Sequence, residues 1–150
     1  MSRYWRFEDS KCANMAYEIY NFADDIESGL AAEYELPTFH DIDSVVLCGM
    51  GASSIGGDAI ADIVSREINI PILTMRCLDL PLWIERNTLV IVSSFSGNTY
   101  ETIAMYKDAI NRGCPRIVLT AGGKLEVMAK EHGDPVILME KKGQPRSALG

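Results

Sequence analysis

Residues 89–99 read LVIVSSFSGNT. Four aliphatic residues, Leu89–Val92, run straight into Ser93, Ser94, Ser96 and Thr99, with Phe95, Gly97 and Asn98 set among them. The apolar run is continuous rather than alternating, as expected of a strand covered on both faces. A helical pattern follows over 99–112. A buried strand that empties into a polar turn before a helix is the unit from which α/β proteins are built.

The same texture recurs on either side. Further apolar runs lie at Val45–Cys48, Ile72–Met75, Ile117–Leu119 and Val136–Met139, and segments of helical composition lie at 55–68 and 124–132. Strands alternating with helices imply right-handed crossovers and a parallel sheet. The expected fold is a three-layer α/β/α sandwich on a five-stranded parallel sheet of flavodoxin-like order 2-1-3-4-5. One connection departs from the pattern. RCLDLPLWIERN, residues 76–87, is broken by Pro81, so no regular helix is expected there, and Leu80, Leu82 and Trp83 are expected to be buried.

An amphipathic helix is expected over 10–33, where Met15, Ile19, Phe22, Ile26 and Leu30 share one face, with Asp9 or Ser10 as its cap. Tyr4, Trp5 and Phe7 precede it and are read as packing residues. The chain thus divides into an N-terminal helical segment (1–36), the sheet domain (37–140) and a linker (141–150). Ser147-Ala148-Leu149 looks like the first turn of another helix, so a further domain is expected beyond Gly150.

Composition removes several functions. A net charge of −7 argues against nucleic acid and anionic membrane surfaces, which need a basic face. No apolar run nears the ~20 residues of a membrane span, and the start, MSRYWRFEDS, has no signal core. Cys12, Cys48, Cys77 and Cys114 form no Cys-x-x-Cys pair; Cys48 and Cys114 adjoin probable strands, so buried thiols of a reducing cytoplasm are expected. No cluster has metal-ligand spacing, so neither metal nor cofactor is expected. His40 and His132 read as surface or loop residues.

The chemistry is expected at two loops. GMGASSIGGD (49–58) follows the first strand, and SSFSGNT (93–99) follows the third. Each leads into a helix start, whose free amides and partial positive charge favour anions. In the order 2-1-3-4-5, strands one and three are neighbours, and ligands bind in the crevice at their carboxyl ends. The candidate anion-binding residues are Gly51, Ala52, Ser53, Ser94, Ser96, Gly97 and Thr99. Asn98 and Glu101 have the spacing of a capping box. Gly122 and Gly123 read as a turn before a helix, and Lys124 as a solvated side chain.

Other phosphate motifs fit less well. Gly49-Met50-Gly51-Ala52-Ser53-Ser54 has Ser where a dinucleotide fingerprint needs its last Gly, and the second strand ends in Arg76 rather than an acid. The P-loop Lys is absent, as is the Gly-x-Ser-x-Gly of a serine hydrolase. A nucleotide site is the weaker alternative.

SSFSGNTYET resembles the signature of sugar isomerase (SIS) domains. Together with GMGASSIGGD and the terminal GQPRSALG, it resembles the N-terminal half of bifunctional phosphoglucose/phosphomannose isomerases, from about residue 10 to the end. The resemblance implies a sugar phosphate as ligand, held by Gly51, Ala52 and Ser53 and by Ser94, Ser96, Gly97 and Thr99. It implies Arg146 beside the reacting carbons. It also implies two SIS domains per chain, with the catalytic Glu and His in the second, so that these 150 residues hold part of an active site. A homodimer or higher oligomer is expected. A non-catalytic sugar-phosphate-sensing module would use the same domain.

Overall fold

The computed structural model describes residues 10–140, for 10–15 and 18 the backbone alone. Arg146, Cys12, the Met15 side chain, the expected cap at Asp9 or Ser10 and the aromatic residues before it lie outside this description. The helix α1 spans Ser10–Ala31. The unit Tyr34–Lys141 is compact and separate from it, and each is described by itself. On α1, Phe22 and Ile26 are half-buried, whereas Ile19 and Leu30 are exposed.

The second unit runs β1 (Ser44–Gly49), a short 3-10 turn (Gly51–Ser54), α2 (Ile55–Val64), β2 (Ile72–Met75), β3 (Thr88–Ser94), α3 (Tyr100–Arg112), β4 (Arg116–Thr120), α4 (Gly123–His132) and β5 (Val136–Leu138). The strands form one parallel sheet in the order β2-β1-β3-β4-β5, the order expected. The central strands β1, β3 and β4 are largely buried and β2 and β5 lie at the edges; the apolar runs mark all five to within two residues at each end. The expected helix over 55–68 ends early, at Val64.

Register assigns the faces. Val46, Val90 and Val118 sit on one face with Cys48 and Val92, packed with Met105, Tyr106 and Ala109 of α3 and Leu125 and Ala129 of α4. Leu47 and Thr74, paired in the ladder, point the other way and meet α2, where a Cβ at Gly57 would stand 3.0 Å from each. Helices therefore flank both faces, and α2 approaches the sheet closely because Gly57 has no side chain.

The connection 76–87 forms no regular helix, as expected, but its burial differs from expectation. Leu80 is buried and Ile84 fully so, while Leu82 is 91% exposed and Trp83 about half exposed. The backbone decides which apolar residues turn inward, and Arg112 of α3 holds that backbone. Its guanidinium donates to the carbonyls of Leu80 (2.6 Å), Pro81 (2.6 Å) and Ile84 (3.2 Å), and to Asp108. Asp108 in turn accepts the Leu80 N–H at 2.9 Å. Five planar donors suit one side chain to cap several carbonyls of an irregular segment.

Beneath β4, Arg116 donates through Nε (2.7 Å) and Nη2 (2.9 Å) to Asp134, which also accepts the Tyr106 hydroxyl at 2.6 Å. Burial, then the Asp134 carboxylate, keeps the Tyr106 phenol well above its ordinary range. Among the described residues, no helix is long and apolar enough to cross a membrane.

Candidate functional site

The carboxyl ends of β1 and β3 lie side by side, with Gly49 in register with Ser93. The two hydroxyl-bearing loops therefore leave the sheet together. They also touch: the Phe95 N–H donates to Ser53 Oγ at 3.3 Å. A Cβ at Gly49 would come within 2.9 Å of the Ser53 carbonyl oxygen and 3.1 Å of the Ser93 carbonyl oxygen. Glycine there is a condition of the approach.

The loop after β3 is a tight turn. The Gly97 N–H donates to the Ser94 carbonyl at 3.0 Å, and Gly97 holds φ at 63°. Buried Ser94 donates through Oγ to Thr99 Oγ1 at 3.1 Å. The Asn98 N–H donates to Ser96 Oγ at 3.2 Å. Ser53, Ser96 and Thr99 thus each accept a hydrogen bond from within the loops. Each keeps its own O–H hydrogen to give outward. Ser53 and Thr99 are half-buried and Ser96 exposed, so all three are open to solvent.

The expected capping box does not form. The N-cap of α3 is Thr99, in extended conformation, and its side chain makes no cap bond. Asn98 precedes the cap and is used elsewhere: its Nδ2 donates to the Ser96 carbonyl (2.9 Å), and its Oδ1 accepts the Lys124 N–H (3.2 Å). Asn98 therefore ties the β3 loop to the start of α4.

Sequence reasoning missed that third loop. Gly122 is the N-cap of α4 and Gly123 its first residue, and Lys124 is exposed, as expected. Their larger consequence is space. A Cβ at Gly97 would fall 1.6 Å from the Gly122 carbonyl oxygen, and one at Gly123 would fall 2.4 Å from the Ser96 carbonyl oxygen. The Leu125 N–H donates to the Gly97 carbonyl (2.9 Å), and the Ala121 N–H to the Phe95 carbonyl (3.1 Å). Two loops 25 residues apart are zipped backbone to backbone. The three glycines of the two loops were the signal, since the expected strand order already set β3 beside β4.

The loop after β1 is anchored from the other side. Buried Ser54 donates through Oγ to the Gly51 carbonyl (2.7 Å) and accepts from Arg76 Nε (2.8 Å). Arg76 also pairs with Asp58 on the first turn of α2. Ala52 is half-buried and Gly51 exposed at φ 55°, with nothing within 4 Å of its absent Cβ.

His40 precedes β1 and His132 ends α4, which places both at the amino-terminal edge of the sheet, away from this crevice. Both are exposed, as expected of surface residues. Glu101 is half-buried on the first turn of α3. Cys48 and Cys114 are buried thiols, as expected, and burial raises both. Among the described residues, no three His, Cys, Asp or Glu side chains cluster as metal ligands.

No protein-family model matches the chain. Over 110 residues it is 44% identical to the bifunctional phosphoglucose/phosphomannose isomerase of Caldicellulosiruptor bescii, covering 73% of this chain and 32% of that protein. Over 141 residues it is 30% identical to the enzyme of the same name from Thermoplasma acidophilum, covering 94% of this chain and 42% of that protein. The chain thus spans from a third to two fifths of the length of these curated relatives. The solved structure of tagatose-6-phosphate ketose/aldose isomerase from Escherichia coli shares the fold, with a TM-score of 0.58 at 18% identity over 91% of this chain and 40% of that one.

Proposed function

We propose that this chain, a homologue of part of the bifunctional phosphoglucose/phosphomannose isomerases and a bearer of the SIS fold, is the sugar-phosphate-binding domain of an aldose–ketose isomerase. Its substrates would be glucose 6-phosphate or mannose 6-phosphate, interconverted with fructose 6-phosphate. The observation that carries the reading is the set of unspent hydroxyl hydrogens on Ser53, Ser96 and Thr99, in two loops joined by the Phe95–Ser53 bond. Such donors replace the water around a phosphate. The first amides of α2 and α3 add partial positive charge. Gly51 and Ala52 let the backbone come near the ligand. Ser94 positions Thr99 rather than giving a hydrogen of its own. Each hydrogen bond to an ionised oxygen contributes roughly 1.5–3 kcal/mol, enough in sum for micromolar to millimolar binding.

Isomerisation moves a proton between C1 and C2 through a planar enediol, which requires a base. Planarity at C2 lets one site serve both epimers. Arg146 would stabilise the enediolate charge, since a guanidinium cannot serve as the base. Neither histidine borders the crevice, and on this reading the base is supplied by a further domain or a second copy, so that these 150 residues bind without turning over.

Titration calorimetry with fructose 6-phosphate, glucose 6-phosphate, mannose 6-phosphate and NAD tests this, beside a coupled isomerase assay. Sugar phosphates bind, NAD does not, and no turnover appears. Binding of NAD alone would overturn the reading, and turnover at ordinary enzyme rates would overturn the incompleteness. If a longer chain with a second such domain binds but never turns over, a sensing module is the better account.

A further inference from the structure

We propose that Arg76 is the positioning residue of the Gly51–Ser54 turn, holding it in the shape that admits a phosphate oxygen; this rests on the sugar-phosphate reading of the crevice. Arg76 follows Met75, which is in register with Cys48, so it stands opposite Gly49 where the first loop begins. Its Nε donates to Ser54 Oγ at 2.8 Å, and that hydroxyl donates onward to the Gly51 carbonyl at 2.7 Å. Ser54 is 2% exposed, and both its hydrogen and an acceptor site are used. It is therefore spent on the turn, whereas its neighbour Ser53 keeps its hydrogen for a ligand.

The chain of bonds sets a direction. In a trans peptide the C=O and the following N–H point opposite ways. Drawing the Gly51 carbonyl toward buried Ser54 turns the Ala52 N–H to the other side. No packing against a side chain at Gly51 enforces this, since no atom lies within 4 Å of its absent Cβ. The turn's own backbone bond, Ser53 N–H to the Met50 carbonyl, is long at 3.2 Å, and Arg76 adds the side-chain restraint through Ser54. Asp58 completes it by pairing with Nη2, which orients the guanidinium plane. The contribution of Arg76 is thus geometric. A planar fork reaches two acceptors in fixed directions, and an ammonium does not.

The test uses the full chain with R76K, R76Q, S54A and the R76Q/S54A pair. Amide hydrogen exchange over 50–55 is followed without ligand, and inorganic phosphate and fructose 6-phosphate are titrated. R76K and R76Q should both speed exchange and weaken binding ~10-fold, the scale on which supporting partners of a site act. S54A should do the same, and the double variant should add little to either single change. Wild-type exchange and affinity in R76K would overturn the proposal, as would additive effects in the double variant. If R76Q fails to fold, S54A carries the same comparison. A wild-type chain that binds neither anion overturns the sugar-phosphate reading itself, whereas unchanged exchange in R76Q overturns the role of Arg76 alone.

Discussion

The amide of Phe95 donates to the hydroxyl of Ser53 across 3.3 Å, joining loops 42 residues apart at the carboxyl edge of the sheet. This bond leaves the Ser53 hydrogen free and fixes where its oxygen stands. On the sugar-phosphate reading, replacing Ser53 by Ala removes a donor to the ligand, and it leaves the Phe95 amide without its partner. We expect sugar-phosphate affinity to fall about 10- to 100-fold, from roughly 1.5–3 kcal/mol for a bond to an ionised oxygen. Calorimetric titration of S53A checks it, and unchanged affinity removes Ser53 from the site.

Gly97 and Gly51 both hold positive φ, yet they should answer differently to alanine. At Gly51 a Cβ meets open space, so G51A costs about 1 kcal/mol for the left-handed backbone. At Gly97 a Cβ would overlap the Gly122 carbonyl oxygen at 1.6 Å. G97A must therefore part the β3 and β4 loops, at about 3 kcal/mol or more. Urea unfolding of both variants measures the difference, and equal losses would contradict the zipped arrangement.

Arg112 and Asp108 hold the irregular segment 80–84. R112A leaves the Leu80 and Ile84 carbonyls without this donor, while the Pro81 carbonyl keeps the Ile84 N–H, and a loss of about 2–4 kcal/mol is expected. Acid gives a second reading. Although partial burial pulls it upward, Asp108 lies below the ordinary carboxylate value because Arg112 and the Leu80 amide bond its charged form. On acidification the unfolded chain takes this proton first. The stability it contributes is therefore present above about pH 4 and lost as pH falls through the lower folded value. Urea midpoints between pH 3 and 7 should show a shallower acid loss in D108N than in the wild type; identical slopes would sink the assignment.

Cys48 and Cys114 are buried, and burial raises both thiols above the ordinary range. The Cys114 thiol also donates to the Glu85 carbonyl at 3.2 Å. The thiolate is the reactive form, so neither should react with iodoacetamide at pH 8 while the protein stays folded. Peptide mapping after labelling with and without denaturant checks this, and rapid native modification of Cys48 would contradict the packing.

The reading of the chain succeeded where signals are local. The five apolar runs became five strands; those of β1, β3 and β4 are covered on both faces, while β2 and β5 lie at the edges with Leu73 and Leu138 exposed. It failed at Leu82 and Trp83, since apolar character alone does not say which side chains of an irregular loop turn inward. Arg112, 25 or more residues away, makes that choice by capping carbonyls. It failed again at Asn98, where spacing suggested a cap. The carboxamide instead meets the Lys124 amide, a partner 26 residues on.

Hydrophobic order along the chain was enough to dictate the strands, their parallel arrangement and the pair of hydroxyl loops beside one another, because burial of apolar runs leaves few topologies open. Which hydroxyl gives its hydrogen outward and which is consumed internally was settled by folding alone. That depends on atoms from β2, β3 and β4 meeting within hydrogen-bonding distance, and such distances exist only after the sheet has formed. Ser53 and Ser54 are neighbours of identical chemistry. Phe95 and Arg76, brought to either side by the sheet, are what make them different.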